Sequence, residues 1–281
     1  MWVMKLWHKI AVTACALLCL GAIPCIAADT ITATPLDAGY RHMYNLQFGE
    51  AHKAFQNWQQ DHPDDPLGPV SDAAAYLFTE FDRLHILESE LFVDDQKFES
   101  RSRPAPNAEL KRAFEAQLAK ARQLAQQALA RDPHDANALF SDVLADGLEG
   151  DYLALIEKRD FQALKLMKEG RSIAERLLAA DPACYDAYLA VGVENYLLSL
   201  KPAPLRWILR ISGAETDKAV GIEKLRITAD KGHYLLPYAR LLLAVAALRD
   251  NDRIRARALL QDLAANFPQN RLYRNELAKL Q

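Results

Sequence analysis

The stretch from Leu235 to Pro268 constrains the fold more than any other part of this 281-residue chain. Two apolar helical segments flank the polar turn 249–252, and a proline closes the second segment. In that second segment a small residue, Ala256, precedes the proline by twelve positions. The same spacing of a small residue and a proline occurs three more times, at Ala51/Pro63, Ala121/Pro133 and Gly170/Pro182. Alternating runs typical of strands are almost absent, so we predict an all-α fold built from repeated helix pairs.

The order of residues within these units resembles the tetratricopeptide repeat. In the last unit Tyr238 and Leu241 stand three apart on the first helix. Ala256 and Leu260 stand four apart on the second helix, and the unit spans 34 residues (268 − 234). The resemblance implies a tetratricopeptide-like helical-repeat solenoid over residues 29–281, in which the first helix of each pair lines a concave surface. It also implies a protein or peptide partner on that surface.

The middle of the chain departs from the standard repeat length. Pro133 and Pro182 are 49 residues apart (182 − 133), fifteen more than one repeat of 34. We predict that two lengthened, antiparallel helices absorb the difference, at 136–157 and 160–180. Inside the first of these helices, two glycines at 147 and 150 each cost about 1 kcal/mol relative to alanine. We therefore predict that these glycines mark a close crossing with a neighbouring helix.

Residues 1–28 have the features of a signal peptide. A basic start precedes a short apolar run, and the small residues Cys25 and Ala27 stand at the spacing that signal peptidase prefers. We therefore predict an exported protein, periplasmic or secreted, that is cleaved after Ala27 or Ala28. A lipobox-like sequence that ends at Cys15, and Cys25 itself, leave open an envelope-anchored lipoprotein. A membrane is expected as a partner only through such lipidation.

Composition and motifs argue against several classes of function. Removing residues 1–28 takes away two lysines and no acid, which leaves 32 basic residues (34 − 2) against 37 acidic ones and a net charge of −5. Nucleic-acid binding needs clustered positive charge, so we expect no nucleic-acid partner. Only Cys184 remains of the four cysteines, so a monomer forms no disulfide. Metal-ligand spacings, phosphate loops and nucleophile elbows are missing, so we expect no catalytic residue, metal or cofactor.

The first helices present apolar residues at the positions of the predicted concave surface, and this surface has two interpretations. In the first it binds an apolar helix, a peptide or an acyl chain. In the second, which we favour, two inserted segments at 71–92 and 202–211 already cover it, because large exposed apolar patches are rare on soluble proteins. A pocket can still lie beneath the second insertion. The candidate binding residues are Tyr40, Tyr44, Glu194, Tyr196, Arg206, Trp207, Arg210 and Leu243.

Glu194 is the one acid in the otherwise apolar helical segment 188–198. A carboxylate in such a segment costs several kcal/mol unless it is paired. In the insertion, Arg206 and Arg210 stand four apart along the edge of a short apolar helix. We therefore predict that 202–211 folds over the repeat surface and that Glu194 pairs with Arg206 or Arg210. A structural ion pair is favoured over a catalytic role.

Two functions follow from the sequence, and an enzyme has the least support. The leading hypothesis is an exported, non-catalytic scaffold for protein–protein interactions in the cell envelope. The alternative is a carrier of a small apolar ligand or peptide in a helical groove. A hydrophobic cavity walled by Tyr196, Trp207 and Leu243 would favour the carrier. A filled concave surface with an exposed convex patch would favour the scaffold.

Overall fold

A computed structural model describes residues 34–86 and 105–280, and within these ranges the chain has twelve α-helices and no strand. The prediction of an all-α fold is therefore confirmed, while the predicted signal peptide lies outside the described residues. The helices are α1 Pro35–Tyr44, α2 Phe48–Asp61, α3 Leu67–Arg83, α4 Ala108–Arg131, α5 Ala136–Asp151, α6 Asp160–Ala180, α7 Tyr188–Ser199, α8 Ala203–Ile211, α9 Lys218–Lys231, α10 Leu236–Arg249, α11 Arg253–Asn266 and α12 Arg271–Lys279.

Four of these helices end in the same way, each two residues before one of the spaced prolines. The residue before a proline is disfavoured in the helical region, so each proline stops the helix one position earlier. In all four cases the C-cap N–H still donates to the carbonyl four residues back, and the backbone then turns with φ between −126° and −137°. These C-cap residues are His62, Asp132, Asp181 and Phe267. The proline spacing therefore marks a recurring turn.

The small residue twelve positions before each of these prolines lies at a helix contact. Ala51, Ala121 and Ala256 have no exposed surface. A Cβ added to Gly170 would lie 3.3 Å from the Cβ of Asp146 on α5, which is tighter than an ordinary contact. A larger side chain at these positions would force neighbouring helices apart. The recurring small residue is thus a packing requirement.

The lengthened helices are present at the predicted positions. α5 continues into a π-helical turn, Tyr152–Glu157, so that together they cover 136–157, and α6 covers 160–180. The start of α6 lies beside the end of α5, and Gly170 further along α6 lies beside Asp146. The two helices are therefore antiparallel neighbours, as predicted. The π-helical turn was not predicted.

The predicted close crossing at Gly147 and Gly150 is wrong. No atom lies within 4 Å of a Cβ added to Gly147, and the nearest atom at Gly150 is 3.7 Å away, which is an ordinary contact. The close crossing lies instead between α7 and α9. A Cβ on Gly221 would lie 2.5 Å from a backbone nitrogen of α7, and one on Gly192 would lie 2.9 Å from a backbone nitrogen of α9.

The helix predicted over 71–92 ends early, at Arg83. His85 takes a left-handed conformation with φ 55°, and the N–H of Ile86 donates back to the carbonyl of Phe81 at 2.9 Å. This closing turn buries the Ile86 side chain completely. The apolar spacing of 71–92 is typical of a longer helix, but the turn that buries Ile86 ends α3 at Arg83. The rest of that predicted helix lies outside the described residues.

The C-terminal helices return to the first helix of the described chain. The hydroxyl of Tyr44 donates to the carbonyl of Tyr234 at 2.9 Å, and the Asn270 side-chain amide donates to the carbonyl of Tyr44 at 2.8 Å. The ring of Tyr40 stacks on that of Tyr234 with centroids 4.6 Å apart. As a result, α1, α3, α5, α7 and α10 face a common interior.

Candidate functional site

An apolar cavity of about 190 Å³ lies in this common interior. α1, α3, α5, α6, α7 and α10 line it, together with the π-helical turn. A smaller cavity of about 60 Å³ lies beside it, and Tyr44, Phe78 and Tyr238 line both. An apolar cavity of roughly 150 Å³ in a protein core stays dry and accepts benzene. The larger cavity therefore has room for a small apolar molecule.

Aromatic side chains hold one wall of the cavity in place. The rings of Phe78 and Tyr238 meet edge to face, with centroids 6.0 Å apart and an interplanar angle of 75°. Phe78 meets Tyr44 in the same manner, at 6.5 Å and 78°. Edge-to-face pairs of this kind are worth about 0.5–1.5 kcal/mol beyond the area that they bury. The wall is therefore preorganised and does not depend on a ligand for its shape.

Asp151 is the carboxyl group of the cavity wall that has neither a charged partner nor a backbone N–H donor in the described ranges. It is the last residue of α5, directly before the π-helical turn, and π-helical segments are frequent at functional sites. Its Oδ2 accepts a hydrogen bond of 3.3 Å from the Tyr238 hydroxyl, and no cationic side chain of the described ranges lies within ion-pair distance. Loss of hydration raises the pKa of Asp151 to about 7, although the Tyr238 hydrogen bond lowers it.

The two other carboxyl groups that line the cavity are compensated by the protein. Asp186 accepts three backbone N–H bonds of 2.8–3.1 Å at the start of α10. Asp146 pairs with Arg122 at 2.9 Å. Burial raises the pKa of both groups, and these bonds act in the opposite direction. Sequence reasoning missed Asp151, although its place between Leu148 and Leu155 on an apolar helical stripe marks it as unusual.

Two of the predicted binding residues, Tyr40 and Tyr44, line this cavity. The three residues whose shared cavity would have favoured the carrier do not wall one. Tyr196 and Leu243 are buried together in a separate core cluster between α7, α9 and α10. Trp207 is 66 % exposed on α8. The pocket that the sequence left open beneath the insertion is not the cavity described here, which no residue of α8 lines.

Glu194 is fully buried and paired, but its partner was predicted incorrectly. The Nε of Arg171 donates to its Oε2 at 2.8 Å, and the backbone N–H of Glu215 donates to its Oε1 at 3.0 Å. Burial raises the pKa of Glu194, and these contacts lower it. Arg206 and Arg210 have other roles. The prediction failed because the partner comes from α6, which the local pattern of the insertion does not reveal.

Arg206 and Arg210 hold α8 to the adjoining chain. Arg206 donates to the carbonyls of Ser199 and Lys201 at 3.1 and 3.0 Å, close to the C-terminal end of α7. The Nε of Arg210 donates to the hydroxyl of Thr216 at 2.5 Å. Free carbonyls at a helix end need such donors, so Arg206 has a capping role.

α8 exposes most of its apolar residues to solvent. Leu209 is its buried residue and packs against Leu198 and Ala214. The others form what we call the α8 patch, whose members are 42–68 % exposed: Leu205, Trp207, Ile208 and Ile211. The prediction that 202–211 covers the concave surface is therefore wrong.

A buried histidine–carboxylate pair lies on α2 and α3 and was also missed. The Nδ1 of His52 lies 2.5 Å from Oδ1 of Asp72, and the ring of Tyr76 packs against the imidazole. Within the described ranges, the contacts of this pair bring no serine, threonine or cysteine side chain to His52. The pair therefore joins α2 to α3.

Residues 34–86 and 105–280 contain neither a cluster of metal ligands nor a helix suited to span a membrane. These residues form no group of three or more histidine, cysteine or acidic side chains that could hold a metal ion. No helix in the same part of the chain combines the length and the apolar character needed to span a membrane.

Comparison with known proteins returned no relative of this chain. No protein-family model, no curated protein and no solved structure matches it. A functional conclusion therefore depends on the geometry of the cavity and of the α8 patch.

Proposed function

We propose that this chain is an exported, non-catalytic, tetratricopeptide-like protein that carries a small apolar ligand in its central cavity. The observation that carries the proposal is the apolar cavity of about 190 Å³ with a preorganised aromatic wall and a single uncompensated carboxyl group. Small-molecule sites are typically concave and apolar, with few polar groups that fix the orientation of the ligand. The cavity has this composition.

The helix contacts support the repeat part of the proposal. Successive helices pack on one another except at α8, where α7 packs on α9 instead, and α3 also contacts α1 and α5, the first helices of the neighbouring pairs. Four pairs end in the same proline turn, and the small residue of each second helix is buried. In a repeat array each unit buries its apolar face against its neighbours, which accounts for this pattern.

The size of the cavity, about 190 Å³, favours a small molecule over a peptide. The contacts of Tyr44 with Tyr234 and Asn270 tie α1 to the C-terminal helices. A helix is about 10 Å across with its side chains, so a cavity of this volume does not admit one. The cavity thus fits the carrier hypothesis better than the hypothesis of a groove for a protein partner.

Toluene tests the proposal, because it is apolar and slightly larger than benzene. A ligand that binds only the folded state raises the melting temperature as its concentration rises. We expect toluene to raise the Tm of the parent protein but not that of Ala190→Phe, in which a ring fills the cavity beside α7. Ala130→Phe, on the exposed side of α4, is the matched control and should respond like the parent. An equal response of all three proteins, or none in the parent, would reject the carrier.

The α8 patch supports a second candidate, the protein-interaction scaffold. Three neighbouring apolar side chains of α8 are more than half exposed, and such patches often mark interaction surfaces. A photo-crosslinking amino acid at Trp207 should capture a specific envelope protein, whereas the same group at Ile254, an isolated exposed residue of α11, should not. Equal labelling from both sites would contradict the scaffold.

Export is tested separately. Mass spectrometry of the protein from its native source should find the N-terminus at Ala28 or Asp29. An acylated Cys15 or Cys25 would replace this proposal with a membrane-anchored lipoprotein.

A further inference from the structure

We infer that the cavity ligand carries a cationic hydrogen-bond donor, of the class of a primary amine on a short apolar body, and that Asp151 binds this group. The inference rests on the proposed ligand-binding function of the cavity. It names the chemistry of the ligand, which the apolar wall alone does not.

The geometry of Asp151 is the first argument. Its carboxyl group lines the cavity, the residue is only half-buried, and its one hydrogen bond is a long contact of 3.3 Å with Tyr238. That contact occupies Oδ2, and Oδ1 has no hydrogen-bond partner among the described residues. A carboxylate oxygen accepts hydrogen bonds, and an ammonium group provides three donors and the opposite charge.

The other buried carboxylates provide the second argument. Glu194, Asp146 and Asp186 each receive an arginine or backbone N–H groups from the protein. Burial of a carboxylate without such partners is unfavourable. Of the three carboxyl groups that line the cavity, only that of Asp151 receives neither an arginine nor a backbone N–H group from the described ranges. A ligand cation would complete its coordination in the way that Arg171 completes that of Glu194.

The charges of the wall exclude the opposite ligand class. The ionisable groups that line the cavity in the described ranges are three aspartates and three tyrosines, with no lysine, arginine or histidine. An anionic ligand would meet like charge and find no cation, so a fatty acid or another carboxylate is disfavoured. A neutral apolar molecule would bind but would leave Asp151 unpaired.

Three ligands of similar size separate these cases, namely benzylamine, toluene and benzoate. Their dissociation constants should be measured by titration calorimetry at about pH 8, where Asp151 is ionised and an aliphatic amine is still protonated. We expect the parent protein to bind benzylamine at least about tenfold more tightly than toluene, because a charge-assisted hydrogen bond is added. Benzoate should bind more weakly than toluene.

Variants assign the preference to Asp151. Asp151→Asn should bind benzylamine no more tightly than toluene while it keeps its affinity for toluene. Asp142→Asn is the matched control, because Asp142 lies on the same helix but not on the cavity wall, and it should keep the preference.

The outcomes separate this inference from the proposed function. A parent protein that binds toluene but prefers it to benzylamine, or an Asp151→Asn variant that keeps the preference, would overturn the inference alone. A parent protein that binds none of the three ligands would overturn the ligand-carrying function as well. Loss of the preference in Asp142→Asn would show that the charge of α5 as a whole, rather than Asp151, attracts the amine.

Discussion

Two regions of the protein place a carboxylate and a pair of glycines in an apolar helical setting, and they are packed very differently. At the crossing of α7 and α9, Gly192 and Gly221 bring the two backbones so close that a Cβ on either would lie within 2.9 Å of a backbone atom. Glu194 beside this crossing has no exposed surface, and Arg171 neutralises its charge. At this crossing the backbones leave no room for a side chain on either glycine, and the charge of Glu194 is paired.

The end of α5 is the opposite case. A Cβ on Gly147 would touch no atom, and Gly150 has only ordinary neighbours. Asp151 faces a cavity and has a single long hydrogen bond. Cores are normally packed without voids and buried charges are normally paired, so the first region is a structural element, and the second departs from both rules where we propose that the ligand binds. The following predictions test this contrast, from the largest expected effect to the smallest.

The largest effect is expected from removal of the paired carboxylate. Glu194→Ala leaves Arg171 partly buried without its main partner, so the free energy of unfolding should fall by about 3–5 kcal/mol. Urea denaturation measures this loss. Glu175→Ala is the control, since Glu175 bonds the same arginine at 2.8 Å but is half exposed, and it should cost less than about 1 kcal/mol.

Replacement of both partners sharpens this result. Arg171→Leu combined with Glu194→Leu should recover much of the loss, because an apolar pair can substitute for a buried ion pair. A Glu194→Ala variant as stable as the parent would contradict the structural role of Glu194 and restore it as a binding residue.

The glycines of the two regions should respond with opposite signs. Gly221→Ala forces a side chain against the backbone of α7, and overpacking of this kind costs about 1–3 kcal/mol. Gly147→Ala meets no atom and improves helix propensity, so it should raise stability by up to about 1 kcal/mol. Thermal unfolding of the two variants measures the difference. If both variants gained or both lost stability, the proposed difference in packing between the two regions would be contradicted.

Part of this contrast was accessible from the sequence, and part was not. Proline stops and small residues are local signals, so the positions of the helix ends at 61, 131, 180 and 266 follow from them. Partners that are distant in the chain gave no such signal. The Tyr44–Tyr234 bond joins residues 190 positions apart and helps to close the cavity, and the Arg171–Glu194 pair depends on how α6 packs against α7.

The same limit explains the error on α8. Its amphipathic spacing correctly predicted a helix with an apolar face. The spacing carries no information about what covers that face, and the structure leaves most of it exposed. Helical periodicity also missed the end of α3, where burial of Ile86 requires the turn at His85.

The unpaired carboxylate predicts a specific pH dependence of stability. The pKa of Asp151 is about 7 in the folded protein and 3.8 for an unperturbed side chain, so the folded state binds the proton more tightly. The contribution of Asp151 to the free energy of unfolding is therefore fully present below about pH 4. It is lost as the pH rises towards 7 and the carboxyl group gives up its proton. Asp151→Asn removes this dependence. Because Asp151 is half-buried, we expect the variant to be more stable than the parent at about pH 8 by only about 1 kcal/mol, the lower part of the usual range.

Denaturation of both proteins across this pH interval measures the effect. Other acids also contribute to the slope, including Asp142, whose pKa burial raises to about 6, so the difference between parent and variant is the informative quantity. The difference should vanish near pH 4 and grow towards pH 8. A constant difference at all pH values would indicate that Asp151 is already compensated in the folded state.

The smallest effect is expected at the α8 patch. The patch lies next to the well-packed region, since Arg171 also donates to the carbonyl of Gly213, just after α8, at 3.0 Å. Trp207 is 66 % exposed, so Trp207→Ser should change the free energy of unfolding by less than about 0.5 kcal/mol and leave toluene binding intact. Leu209→Ala, on the buried side of the same helix, should cost about 2–5 kcal/mol. Parallel urea titrations at two protein concentrations measure both. A loss above about 1 kcal/mol in Trp207→Ser that grows with protein concentration would mean that a second copy covers the patch, since only association makes stability depend on concentration.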